Sequence, residues 1–266
     1  MRLLIILMVL FGTTIGVVAA DLPREQRIAG EIVDSIVVGD PVWLGTEDGQ
    51  AFLAIYTAQE TAKPEGGLII LHGRNAHPDW VGVVQPLRTE LPASGWVTLS
   101  LQLPVAAVDA PADAYDLLVS ESYPRIMAGI QYLKERDVTP IVLLGHSLGA
   151  RIGLAYLASN PQAEVGALVA VGLPIGRSDP REDILGAIEK LRIPILDIYG
   201  SRDLQAVTQT ARERAAVARR SGNEGYQQQE ISGADHFFRG LDDTLVTRVR
   251  AWLKRWGSVP RDAQAK

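Results

Sequence analysis

The chain has 266 residues, 47% of them hydrophobic and 21% charged, with a formal net charge of −5 and no cysteine. That is the composition of a globular protein with room for a sizeable core, and it excludes a disordered polyampholyte. The missing cysteines exclude disulfides, thiolate metal sites, a cysteine nucleophile and a lipid-modified N-terminal cysteine.

Met1-Arg2 opens the chain with a positive charge, and an almost wholly apolar run from Leu3 to Val18 follows, ending in Val18-Ala19-Ala20. This reads as a signal peptide over residues 1–20, cut before Asp21, because the run is shorter than a membrane span and ends in small residues. Cleavage leaves 25 basic against 31 acidic residues, a net charge of −6. A mildly acidic protein of this kind does not suit nucleic acid or an anionic lipid surface. The expectation is an exported protein, periplasmic or secreted, with no stable membrane anchor after cleavage and a small-molecule partner. The sequence leaves its oligomeric state open.

In the mature chain, Ile36–Leu44 and Ala51–Tyr56 flank the turn-like Thr46-Glu-Asp-Gly49 and predict an antiparallel hairpin. Short apolar runs follow at Leu68–Leu71, Val97–Leu101, Ile141–Leu144, Ala167–Val171 and Ile193–Tyr199. Near-continuous Val, Ile and Leu mark strands buried on both faces of a parallel sheet. Helical patterns separate them. Tyr123, Ile126, Ile130 and Leu133 share one helical face; Ile152, Leu154, Tyr156 and Leu157 lie on a helix stopped by Asn160-Pro161. A further helix spans Ala206 to Arg220 and ends at Gly222, and Leu241, Leu245, Val249, Trp252 and Trp256 stripe a last helix closing at Gly257. The polar run Tyr226–Ile231 is plausible only as an edge strand. Alternating strands and helices give an α/β fold with a doubly wound, mostly parallel sheet, in one domain over residues 21–257, with a polar tail over 258–266.

Gly145-His146-Ser147-Leu148-Gly149 is a G-x-S-x-G sequence set between the Ile141 strand and the Ala150–Ser159 helix. That strand–turn–helix setting lifts a serine hydroxyl to the sheet's C-terminal edge, and the flanking glycines let strand and helix backbones approach. Ser147 is the candidate nucleophile. A serine needs a base, and the chain offers only His72, His77, His146 and His236. His146 adjoins the serine inside the turn, and His72 and His77 precede it around the first loop. His236 follows the last strand and is the candidate base. Asp203, in the loop after the Ile193 strand, is the candidate acid, with Asp197 inside that strand as the alternative and Asp235 too close to the base to reach it well. The oxyanion hole would come from the amides of Leu148 and of Arg74, in the His72-Gly73-Arg74-Asn75 loop. His146, Trp80 and Phe237 are candidate substrate-binding residues. His72 and His77 have no further ligand at helical metal-site spacing, so no metal is expected.

The elbow Gly145–Gly149, the His72-Gly73 loop and the order Ser147, Asp203, His236 together resemble the α/β-hydrolase superfamily over nearly all of the mature chain. The resemblance is to exported bacterial members. It implies the α/β-hydrolase fold, a sheet of about eight strands, and cofactor-free acyl transfer through an acyl-serine. Many members carry a lid domain after the sixth strand, whereas Pro174 to Leu191 leaves room here for one helix around Asp183–Leu191 and no large lid domain. An open site suits short to medium acyl esters or thioesters, which makes a small acyl ester the expected partner and a carboxylesterase-like serine hydrolase the expected enzyme. A peptidase, or a hydrolase-shaped binding protein of the cell envelope without turnover, are the competing readings.

Overall fold

The computed structural model describes residues 20–111, 114–175 and 181–258, with the backbone alone for residues 181–183. Nearly all of the expected leader (1–19 of 1–20), nearly all of the expected tail (259–266) and part of the segment after the sixth strand (176–180) lie outside the described residues.

Eight strands form one sheet: β1 (Asp40–Gly45), β2 (Ala51–Thr57), β3 (Gly66–Leu71), β4 (Trp96–Leu101), β5 (Ile141–His146), β6 (Ala167–Val171), β7 (Ile195–Gly200) and β8 (Tyr226–Ile231). Their spatial order is β1-β2-β4-β3-β5-β6-β7-β8. β1 pairs antiparallel with β2 and β2 antiparallel with β4, while every other pairing is parallel. Every residue of β3 to β7 is buried, which is why each reads as a continuous apolar run. β8 is the polar edge strand.

Two helical layers cover the sheet. On one face α2 (Val84–Glu90) and α9 (Asp242–Gly257) close over Leu68, Val142, Val169 and Leu196. On the other, α3 (Ala114–Glu121), α4 (Tyr123–Lys134), α5 (Leu148–Ser159) and α6 (Arg181–Lys190) close over Ile69, Leu143 and Leu168. α6 is the single helix expected between β6 and β7, and among the described residues no lid domain is inserted there. No helix among the described residues is long and apolar enough to cross a membrane.

The structure departs from the sequence reading at several elements, α2 and α3 among the helices not anticipated. The first strand begins at Asp40 rather than Ile36, because Gly39 turns the chain at φ +82° and leaves Val37 92% exposed. The helix expected over 206–220 is broken into α7 (Gln205–Thr208) and α8 (Ala211–Arg220). Between them the Thr210 hydroxyl donates to the carbonyls of Ala206 and Val207, and Arg214 caps the same Val207 carbonyl. These side-chain bonds compete with the helical ladder. An unanticipated α1 (Leu22–Val33) starts where Asp21 accepts a hydrogen bond from the Arg24 amide, with a proline in its first turn. A buried ion pair from its Glu25 to Arg125 of α4 (2.7 Å) anchors it, and Glu25 also accepts from the Val105 amide.

The polar letters of β8 have a structural reason. Asp197, fully buried in β7, accepts from Arg214 Nε (2.7 Å) and Nη2 (3.1 Å), from the Tyr226 hydroxyl (2.5 Å) and from Gln228 Nε2 (2.9 Å). Tyr226 and Gln228 lie two apart on β8 and reach one face, so the strand carries polar groups to a buried carboxylate. Removing the cation alone would strand that charge. Arg214→Ala is expected to destabilise the fold by about 3–5 kcal/mol in urea denaturation, and an unchanged midpoint would refute this account of β8.

Candidate active site

β5 delivers Ser147 into a backbone conformation that L-residues rarely adopt, φ 55° and ψ −116°, and α5 leaves immediately after it. Strain of this kind costs about 1–3 kcal/mol and persists only where packing over-determines it. Here the Ser147 amide donates to the Val171 carbonyl at the end of β6 (2.9 Å), and its own carbonyl accepts from Ala150 and Arg151 in the first turn of α5. The flanking glycines are obligatory for space. A Cβ on Gly145 would lie 2.3 Å from the Gly149 carbonyl oxygen, and one on Gly149 would lie 2.1 Å from the Leu71 carbonyl oxygen. Helix, elbow and neighbouring strand touch backbone to backbone.

The loops after β7 and β8 bring two side chains to this serine. His236 Nε2 lies 2.9 Å from Ser147 Oγ, and His236 Nδ1 lies 2.6 Å from Asp203 Oδ1. With the Nδ1 proton on the carboxylate side, Nε2 is left as the acceptor for the serine hydroxyl. Asp203 is itself fixed, its Oδ1 accepting from the Leu204 amide at 2.6 Å. Both His236 and Asp203 are buried. The alternative acids are placed elsewhere: Asp197 is consumed by Arg214, and Asp235 accepts from the amides of Phe237 and Arg239. Room for the His–Asp contact comes from Gly172 at the end of β6. It has φ +59°, and a Cβ there would lie 3.1 Å from the His236 ring and 3.2 Å from Asp203 Oδ2. No sequence signal marked Gly172.

The loop after β3 forms the other wall. Leu148 and Arg74, the two expected amide donors, meet with Tyr115 and Leu103 around one tight crevice. Neither amide has a hydrogen-bond acceptor among the described residues. The loop is held from three sides. Asn75, at φ 57°, accepts from Arg24 of α1 (3.2 Å) and from the Tyr115 hydroxyl (3.2 Å), and the Arg74 guanidinium stacks over the Tyr115 ring. His72 bonds the Gly73 carbonyl through Nδ1 (2.8 Å) and accepts from the Leu103 amide at Nε2 (2.9 Å). The latching roles of His72, Asn75, Tyr115 and Arg24 were not legible in the sequence.

His146 lies under the site rather than in its mouth. It is buried, its Nε2 donates to the His236 carbonyl (3.0 Å), and its ring packs against those of His236 and Phe237. Burial pushes His146 down to about 4 and His72 down to about 3, so both are neutral at pH 7. Trp80 and Phe237 are half-buried and share an open groove, and Phe237 also packs against the His236 ring, while Phe238 is core. No cluster of metal-ligating side chains occurs among the described residues.

An elbow serine hydrogen-bonded to a histidine, on a doubly wound eight-stranded sheet, defines the α/β-hydrolase fold, and solved structures share it. The esterase Pf2001 of Pyrococcus furiosus aligns with a TM-score of 0.67 at 18% identity, over 83% of this chain and 93% of that one. Est1E from Butyrivibrio proteoclasticus aligns with a TM-score of 0.64 at 16% identity, over 82% and 98%. XC6422 from Xanthomonas campestris, described as an a/b serine hydrolase without lid, aligns with a TM-score of 0.60 at 18% identity, over 85% and 98%. Within that fold the chain belongs to the family described as "Protein of unknown function (DUF3530)", whose model matches residues 39–124 and 109–255. No curated protein matches the chain.

Two tests follow from this geometry. Gly172→Ala should leave the fold intact but push His236 and Asp203 apart, lowering any turnover at Ser147 by about 100-fold; full activity would show that the Gly172 gap is dispensable. The buried histidines set an acid limit. Their folded pKa values lie below the ordinary 6.5, so the unfolded chain binds more protons and stability falls as pH drops from about 6.5 towards 4. The slope is about 1.4 kcal/mol per pH unit for each histidine, measurable as urea midpoints between pH 7 and 4, and a flat profile would contradict it.

Proposed function

We propose that this chain is a serine hydrolase of carboxylic esters or thioesters with short to medium acyl groups, working through an acyl-serine intermediate. The observation that carries the reading is the pair of contacts at 2.9 Å and 2.6 Å that joins Ser147 to His236 and His236 to Asp203 at a strained elbow. The solved esterases and serine hydrolases of the same fold support it.

In the proposed reaction His236, oriented by Asp203, takes the Ser147 proton as Oγ attacks the acyl carbonyl. The Leu148 and Arg74 amides receive the oxyanion, where the N-terminus of α5 favours negative charge. His236 passes its proton to the leaving alcohol or thiol, then removes one from the water that releases the acid. Side chains and backbone amides supply every group the cycle uses. A leader cleaved after Ala20 would place this activity in the periplasm or the medium.

Labelling with a fluorophosphonate probe tests the reading. The folded wild type should label and Ser147→Ala should not; unlabelled wild type would overturn the proposal. Asp203→Asn should lower turnover about 10⁴-fold by disturbing the imidazole's tautomer, whereas Asp197→Asn should lower stability and leave turnover per folded molecule unchanged.

A further inference from the structure

We propose that the specificity of this site lies on the leaving-group side, and that its preferred substrates are esters of a small acyl group with a flat aromatic alcohol. The inference rests on the esterase reading above and adds the substrate class to it.

The chemistry fixes which side is which. As the Ser147 Oγ–carbon bond forms and the carbon–oxygen bond to the alcohol breaks, the proton that His236 took from Ser147 goes to the departing oxygen. That oxygen must therefore lie within hydrogen-bond reach of His236 Nε2, and the rest of the alcohol must extend past the imidazole. What lies past it is aromatic. The Phe237 ring sits 5.2 Å from the His236 ring, edge to face. Phe237, Trp80, Gly82 and Gly240 line a groove of about 430 Å³, with Arg239 at its rim. A side chain at Gly82 would stand 3.4 Å from the Trp80 indole nitrogen and 3.8 Å from Phe237 Cβ, so bare backbone keeps the space between the two aromatic residues open. The Arg239 guanidinium lies 4.8 Å above the Phe237 ring and pairs with Asp235 at 3.3 Å. Two aromatic walls and a planar cation favour a planar π-system over an alkyl chain.

The acyl side is the opposite. The walls beside the Leu148 and Arg74 amides are Leu103, Val105, Tyr115 and Leu118, and among the described residues they enclose no water-sized void. Tyr115 is held there by its bond to Asn75 and by the Arg74 guanidinium on its ring. With no such void behind the amides, a long acyl chain would have to displace this wall, which holds the acyl group to one short enough to stay at the amides.

The test compares kcat/KM for 2-naphthyl acetate and hexafluoroisopropyl acetate, whose alcohols are of comparable acidity, in the wild type and in Trp80→Ala and Trp80→Phe. The wild type should favour the naphthyl ester about tenfold. Trp80→Ala should erase most of that ratio and Trp80→Phe should retain part of it. 2-Naphthol should inhibit the wild type competitively, which keeps the test decisive if Trp80→Ala does not fold. Lengthening the acyl group of the naphthyl ester from acetyl to octanoyl should cost more than about tenfold. If the protein reacts with the fluorophosphonate probe, and untreated protein hydrolyses both acetates with a ratio near one, keeps its ratio in Trp80→Ala, or takes octanoyl as readily as acetyl, this inference alone is overturned. Absence of labelling overturns the esterase reading and the inference with it.

Discussion

The close approach of three backbones at Ser147 is the constraint on which the site depends. Gly145 abuts Gly149 and Gly149 abuts the end of β3, so α5 can start only where the strand–helix crossing leaves room for hydrogen atoms and nothing larger. That crossing forces the positive φ at Ser147 and holds its hydroxyl at the sheet's edge. The same contact brings the first turn of α5 against the His72–Asn75 loop, so the candidate nucleophile and both proposed amide donors are positioned by one packing event. Strain is tolerable because it is shared with hydrogen bonds from Ser147 to β6 and α5.

Around this point the buried imidazoles divide the labour. Only His236 meets the serine. His72 and His146 are held neutral by burial and serve as struts: one closes the loop after β3 onto Leu103, and the other fastens the His236 backbone to the end of β5. His72 uses both nitrogens of its neutral ring, donating at Nδ1 and accepting at Nε2, while His146 donates through Nε2 alone. Phe237 meets both imidazoles edge to face, so the candidate base is set by its carboxylate partner on one side and by rings on another.

Much of this was legible in the sequence where burial wrote it. β3 to β7 announce themselves because each is apolar on both faces, and the G-x-S-x-G turn is visible because its geometry restricts residue type. β8 could be recognised as an edge strand by its polarity, but its reason for being polar could not, since that reason is a carboxylate thirty residues earlier. For the same reason Asp197 stayed open as an alternative to Asp203: the first lies inside β7 and the second in the loop after it, and only the direction of Asp197 towards Arg214 separates their roles. α1 escaped notice although Ile28, Ala29, Ile32 and Val33 fall on its inward face, because that short stripe shares the face with Glu25, whose buried pairing with Arg125 only the fold reveals. Gly172 left no mark, because a positive φ and a nearby ring are properties of the fold alone.

The Asp197 network has a bearing on how this chain would respond to random mutation. β8 is an outer strand bonded to β7 alone, and the loop bearing His236 hangs from its end. Asp197, Arg214, Tyr226 and Gln228 clamp that strand in place without touching a reacting atom in the proposed chemistry. In a genetic screen scored by activity, these four positions would therefore look as intolerant as the nucleophile's own neighbours. Their intolerance would report the abundance of folded enzyme, and only activity normalised to that abundance would separate the clamp from the chemistry.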